Sequence, residues 1–302
     1  MADAVFDYLS EKYNFEDLGH DVNTIKKDKH LNKMYSLQKV FDDDYKEPFS
    51  SDEFTITKTP KLDGAAISLI YENGYLTKAL TRGDGVEGEI ITTNIYASSI
   101  VPRRIKLTET TQIAGEVLVN KEIENARNFA AGTIRLKNYE EVLRRAKDVK
   151  LTFVAYSIWP YMSNSYLDDM QYLQSLGFLT VIDDKKILDN FQQDGEVYRL
   201  DNNLSYENAG FTSRYPRGAY ALKKRAAVAI EETILLDVHW QVGASGQVTP
   251  VAEFEEVIID DAKINRATLH NAAFIEEMDL SIGDIILITR SGGIIPKVVG
   301  KV

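Results

Sequence analysis

The sequence predicts an α+β chain in two parts, a domain in which strands and helices mix followed by a small β-barrel. Three observations predict it. The chain has 302 residues, 44% of them hydrophobic, which is enough for a substantial core and a length at which about two domains are expected. Up to Arg225, short β-rich runs mix with helical stretches without a βαβ repeat. Beyond Arg225 the composition changes to short strand-like runs, TILLDVHWQVG, GQVTPVAEFEEVIID, NRATLHN, DIILITR and KVVGKV, spaced by Gly and Asp turns.

Taken in order, the opening AVFDYLSEKYNFEDL is helix-like and acidic, so residues 1–30 read as an accessory arm before HLNKMYSLQKVF. In EFTITKTPKLDGAAISLIYENGYL, Asn73-Gly74 is a strong hairpin signal between Ile67–Tyr71 and Tyr75–Leu80, which places Lys61 just before a strand. The segment NKEIENARNFAAGTIRLKNYEEVLRRAKD reads as helical, and LTFVAYSIW as a buried strand. The main domain is assigned to residues 31–228 and the barrel to 229–302, an oligonucleotide-binding barrel being one solution for so many strands in about 70 residues.

Composition excludes several classes. There is no apolar run of about 18 residues to span a bilayer and no cationic, apolar leader, so the chain reads as cytoplasmic with no membrane partner. Cysteine is absent, and His20, His30, His239 and His270 lack ligand spacing, so a zinc site is not expected. A net charge of −11 argues against a general nucleic-acid coat, because such affinity comes from Lys and Arg neutralising phosphates. Any DNA contact must therefore be local, as at Arg103, Arg104 and Lys106, or Arg214, Arg217, Lys223, Lys224 and Arg225. For any single cluster, solvated helix and strand edges are the commoner explanation.

The chemistry centres on Lys61-Leu62-Asp63-Gly64. A lysine amine is a nucleophile only when deprotonated, Gly64 would let backbone approach a nucleotide, and Asp63 would orient polar groups. Taken alone, so short a motif is better explained by a surface lysine beside a turn, and context must reverse that. In Thr81-Arg82-Gly83-Asp84-Gly85-Val86-Glu87-Gly88-Glu89, the glycines could turn backbone N–H groups toward an anion and Arg82 supplies fixed donors. Glu116 lies inside the apolar run IAGEVLV, where a carboxylate needs a partner or a ligand. Lys223 closes the alternation of RGAYALKK and could point inward, with Lys224 outward.

Together and in this order, KLDG, TRGDGVEGE, GEV, NARNFAAGTIR, GFTSRYPRGAYALKK, QVGASGQVTPVAE, INRATLHN and IGDIILITRSGGIIPKVV closely resemble the adenylation and oligonucleotide-binding (OB) domains of NAD-dependent DNA ligases. The resemblance runs from about His30 to Val302. It implies an ATP-grasp-like nucleotidyltransferase domain of antiparallel sheets with helices, followed by an OB-fold. It further implies that Lys61 is the catalytic nucleophile carrying AMP from NAD, and that Ser36, Leu37, Asp63, Gly64, Arg82, Glu116, Arg199 and Lys223 bind the nucleotide. By the same likeness Arg127, Arg135 and Arg217 are candidates for DNA or nicotinamide mononucleotide contacts, with nicked duplex DNA as partner and Mg2+, its ligands unassigned, as cofactor.

The chain also departs from that pattern. Thr59 stands where the family has Glu, Arg199 closes DGEVYR where it has Lys, Ala244 replaces an Arg and Gly293 an Asp. The paired tyrosines and acidic signature of the nicotinamide mononucleotide domain are not found in residues 1–30, and no zinc finger, helix-hairpin-helix or BRCT domain follows. A second subunit supplying such modules is therefore expected, in a minimal or split ligase of phage or viral type. Two further readings stay open: another covalent nucleotidyltransferase, ATP-dependent or of the capping type, and a noncatalytic ligase-like scaffold.

Overall fold

A computed structural model describes residues 26–42, 48–49, 53–223, 230–242, 248–259, 262–291 and 295–302. The helix-like opening, Lys224, Arg225, Ala244 and Gly293 lie outside the described residues. Two compact units form, Met1–Arg225 and Ala226–Val302.

The first unit is built on two main sheets. The five-stranded one has the order β5-β4-β7-β8-β9, from β4 (Ala65–Glu72), β5 (Tyr75–Thr81), β7 (Thr111–Leu118), β8 (Thr152–Trp159) and β9 (Leu179–Thr180). The four-stranded one runs β2-β11-β10-β3, from β2 (Gln38–Phe41), β3 (Ile56–Leu62), β10 (Gln193–Leu200) and β11 (Ala219–Lys223). A two-stranded ribbon joins β1 (Lys27–Lys29) to β6 (Glu87–Glu89). The sheets are antiparallel except at an edge of each, where β11 pairs with β2 and β8 with β9 in parallel. No βαβ repeat organises them.

Local chemistry explains the elements. Asn73 and Gly74 have φ of 52° and 81°, the backbone that lets a two-residue turn join β4 and β5. The stretch read as helical breaks into α2 (Ala126–Ile134) and α3 (Tyr139–Asp148), introduced by α1 (Thr92–Ser98) earlier in the chain. Asn138 makes the break, its side chain accepting from the Glu140 and Glu141 N–H groups and so satisfying the start of α3. Ser165 caps α4 (Tyr166–Ser175), Asp184 caps α5 (Lys185–Leu188) and Asn202 caps α6 (Asn203–Ala209) in the same way. Strand β4 is buried along almost its whole length, and Ile67, Leu69, Ile113, Val117 and Val154 form a core with Ile95 of α1, Ala130 and Ile134 of α2 and Met170 of α4.

The second unit is a closed barrel, β12-β13-β14-β16-β15, from β12 (Glu231–Val242), β13 (Val248–Ile259), β14 (Ala262–Thr268), β15 (Ile285–Ser291) and β16 (Ile295–Lys301). Leu235, Phe254, Ile264, Ile286, Ile288 and Val298 fill it. Phe274 and Ile275 of α7 (Ala272–Glu277) pack against this core.

Candidate functional site

Strand pairing gathers the charged residues. Lys61 is the penultimate residue of β3, which pairs antiparallel with β10 through Thr59↔Val197 and Pro60↔Glu196, with an irregularity between Gln193 and Glu196. On its other side β10 pairs with β11 through Glu196↔Leu222. That arrangement puts Asp194 between two lysines. Lys61 Nζ donates to Asp194 Oδ1 at 2.7 Å and Lys223 Nζ to Asp194 Oδ2 at 2.5 Å, all three side chains only 20–28% exposed. Burial works to raise the Asp194 pKa, but hydrogen bonds and charge from Lys223 and Lys61 outweigh it and hold the carboxyl below its ordinary value.

The trio lines a cavity of about 620 Å³, whose walls also include Ser36, Leu37, Asp63, Gly64, Arg82 and Glu116. Glu116 sits on β7 opposite Ala66 of β4, and Arg82 N–H donates to the Ala66 carbonyl from the end of β5. The Glu116 Oε2 atom is buried with no hydrogen-bond partner among the described residues. Burial raises its pKa to about 8, against the opposing pull of Lys61 and Arg82. A dry carboxyl beside a polar cavity is one hydrogen bond short, which a ligand hydroxyl could supply.

Cations on α2 and at its C-terminal end extend the same wall. Arg127 Nη1 lies 3.2 Å from Asp63 Oδ1, Arg135 Nε lies 3.4 Å from Glu89 Oε2, and both arginines line the cavity. Gly64 has a packing reason for being glycine, since a Cβ there would stand 2.5 Å from the Val117 carbonyl oxygen on β7. The glycine loop differs from its sequence reading. Asp84 Oδ1 accepts from Val86 and Glu87 N–H, and Gly85 N–H donates to the Arg82 carbonyl, so these donors are spent within the loop. The loop is latched from outside by His30 N–H on the Val86 carbonyl and Met34 N–H on the Gly85 carbonyl. What it presents to the cavity is Arg82 with Thr81 and Gly83.

Ser36 and Leu37 are held at the cavity by Ser36 N–H donating to the Arg214 carbonyl and by Tyr35 stacked on Phe211 at 4.8 Å. Thr59 is buried in the wall on β3. Arg199 also borders the cavity, though its guanidinium is engaged by protein groups. Arg217 stands apart, in a second cavity with Phe49, Phe54 and Leu200. No three His, Asp or Glu side chains gather into a metal cage among the described residues.

Residues 22–193 match the family described as NAD-dependent DNA ligase adenylation domain, and residues 232–302 the NAD-dependent DNA ligase OB-fold domain. The chain belongs to the NAD-dependent DNA ligase adenylation-domain family. It is 36% identical to the DNA ligase of Lawsonia intracellularis, over 90% of this chain and 47% of that protein. It is 35% identical to that of Brachyspira hyodysenteriae, over 93% and 48% respectively. The chain thus spans about half the length of the curated relatives it matches. A solved structure of a minimal-scaffold Lig E DNA ligase is similar at 13% identity and a TM-score of 0.45, covering 81% of this chain and 91% of that one, too distant to add to the assignment.

The fold is accordingly an adenylation nucleotidyltransferase domain followed by an OB-fold barrel. Within the adenylation domain, the cavity brings together Lys61, Ser36, Leu37, Asp63, Gly64, Arg82, Glu116, Arg127, Arg135, Arg199 and Lys223, and leaves out Arg217. Sequence reasoning passed over Asp194, although it opens the DGEVYR stretch that was read for its last residue. It also passed over Tyr35, Tyr156, Tyr161, Tyr206 and Phe211, cavity residues whose only sequence signal is aromatic character.

Proposed function

We propose that this chain is the catalytic core of a DNA ligase that seals nicks in duplex DNA, with Lys61 as the nucleophile that takes AMP from NAD. The observation that carries the reading is one half-buried carboxylate, Asp194, shared by Lys61 and Lys223 in a cavity walled by Arg82 and Glu116. In the first step the Lys61 amine attacks the α-phosphorus. A P–N bond forms, the pyrophosphate P–O bond breaks, and nicotinamide mononucleotide leaves. AMP then passes to the 5′-phosphate of a nick, and the 3′-hydroxyl displaces AMP to close the strand. Each step is a displacement at phosphorus, in which positioning and neutralisation of spread negative charge supply most of the catalysis.

The residues divide that work. Lys61 must lose a proton before it attacks, and Asp194, hydrogen-bonded to it, holds the amine in place in the cavity. Arg82 and Lys223 supply positive charge around the phosphate, and Glu116 meets the ribose hydroxyls. Ser36 and Leu37 wall the pocket, while the exposed Arg127 of α2 and Arg135 just after it suit the adenylated strand end. Arg217, in its separate cavity, suits a duplex contact outside the nucleotide site.

Mg2+ belongs to this reading as a partner of the substrate phosphates. A magnesium ion so held needs only one or two carboxylates, whereas the described residues form no dedicated cage, and no step above is routed through it. A second protein subunit and a site of action in the cytoplasm complete the proposal. Support for NAD over ATP comes from the family match and from relatives named DNA ligase.

The test is mass spectrometry of the purified chain after exposure to NAD, ATP or GTP in Mg2+ buffer. A gain of one adenylate on the Lys61 peptide with NAD alone is expected, and its loss in Lys61→Ala. Adduct formation only with ATP or GTP, on any other residue, or not at all would overturn the assignment.

A further inference from the structure

Arg199 is held on several sides by protein groups. Its guanidinium carbon lies 4.0 Å from the ring centre of Tyr206, 4.3 Å from Tyr166 and 5.9 Å from Tyr161. Nη1 donates to the Leu200 carbonyl at 2.9 Å and Nη2 to Asn203 Oδ1 at 2.8 Å, and the residue is only 9% exposed. Asn203 is itself fixed, donating to Asp169 Oδ2 and the Ser163 carbonyl, while Asp169 Oδ1 accepts from Met162 and Ser163 N–H. Rings on two sides and donors committed to fixed acceptors leave this guanidinium poorly placed to seize a phosphate. A planar fork suits the position, and an ammonium does not fill the same role.

The rings it touches lead to two walls of the nucleotide cavity. On one side Tyr206 meets Phe211 edge-on at 5.8 Å, Phe211 stacks on Tyr35 at 4.8 Å, and Lys33 covers Tyr35 at 4.7 Å. Tyr35 directly precedes Ser36 and Leu37. On the other side the Tyr166 hydroxyl donates to the Tyr156 carbonyl at 3.0 Å, on β8 of the five-stranded sheet. Arg199 itself belongs to β10 of the four-stranded sheet.

We infer that Arg199 is a positioning residue that sets the nucleotide pocket from behind, as one rung of a ladder Tyr35–Phe211–Tyr206–Arg199–Tyr166, and that it does not bind the reacting phosphate. The inference rests on the nucleotide-site reading of this cavity. Its consequence is selective. Weakening the ladder loosens the Tyr35–Leu37 wall and lowers nucleotide affinity, while the step at phosphorus, carried by Lys61, Asp194 and Lys223, keeps its rate once the pocket is filled. Tyr35 and Arg199, at opposite parts of the ladder, must then be energetically coupled without touching.

The experiment is a double-mutant cycle on the full chain, Arg199→Lys with Tyr35→Ala, read by calorimetric AMP affinity and by the rate of adduct formation at saturating NAD, with melting temperatures alongside. Each single variant is expected to weaken AMP binding about tenfold, the scale of one desolvated cation–π or stacking contact. The double variant is expected to be little worse than either, with saturating rates within about twofold of wild type. Additive losses, or an Arg199→Lys rate that stays low at saturation, would overturn the inference. Phe211→Leu breaks the ladder without touching the guanidinium, so it must reproduce the affinity loss even if Arg199→Lys folds poorly, and wild-type affinity in this variant would equally overturn it. A wild-type chain that binds no AMP would instead strike at the nucleotide-site reading itself.

Discussion

Glu116 stores a pH dependence in the fold. Burial holds its pKa up at about 8, whereas an unfolded chain releases a glutamate proton near about 4.3. Between those values the folded state binds more protons than the unfolded one, so stability attributable to this group is present at low pH and drains away as pH rises through 8. Glu116→Gln keeps the shape without the titration. Urea unfolding at pH 5 and pH 8.5 is expected to show wild type losing more stability than the variant across that interval, by up to a few kcal/mol. Equal losses would mean that Glu116 is ionised in the folded protein. At this scale much of the site was readable, because Lys61, Arg82 and Glu116 each stand in a run whose chemistry is local. Asp194 was not, since it meets Lys61 across 133 residues of chain through the pairing of β10 with β3, and register between distant strands leaves no mark in spacing.

Among the elements, the hairpin of β4 and β5 was readable from its turn residues alone. Two facts about Gly74 allow a quantitative expectation. Its φ is +81°, and an added Cβ would lie 2.5 Å from the Ile105 carbonyl oxygen, against the segment whose Ile105 N–H donates to the Gly74 carbonyl. Gly74→Ala should therefore cost about 2 kcal/mol or more, the left-handed backbone alone accounting for roughly 1–2 kcal/mol. The shift in urea midpoint measures it, and a neutral result would mean that the turn and the 105–107 segment can separate freely. The long stretch from Asn120 to Asp148 was less readable. Its composition suits a helix throughout, yet Asn138 competes for the first amides of α3, and a cap is hard to tell from an interior asparagine in sequence. Strand β1 fell within what reads as an arm, because its pairing with β6, Lys27↔Glu89 to Lys29↔Glu87, is long-range.

For the whole molecule, the change of composition after Arg225 marks a real change of architecture, from two open sheets to a closed barrel. The acidic balance was readable as well, and it fixes how the work must be divided. With a net charge of −11, phosphate affinity has to be concentrated where cations are held together, and every residue lining the Lys61 cavity falls between Asn32 and Lys223. On the proposed reading, the groups that receive AMP are all described residues of the first unit, Met1–Arg225. Closing a nick makes a different demand. It requires a grip on duplex backbone on either side of the break, and a barrel of the OB type is suited to holding nucleic acid by its shape. Residues 1–225 alone are thus expected to form the Lys61 adenylate from NAD at a rate within about threefold of the full chain, but to lose nick sealing by about 100-fold or more, on the scale expected when orientation of the reacting ends is lost. Gel analysis of a labelled nicked duplex, run beside the adduct assay, separates the two activities. Loss of adenylylation in a truncated protein with intact circular dichroism would show that the barrel takes part in the first step.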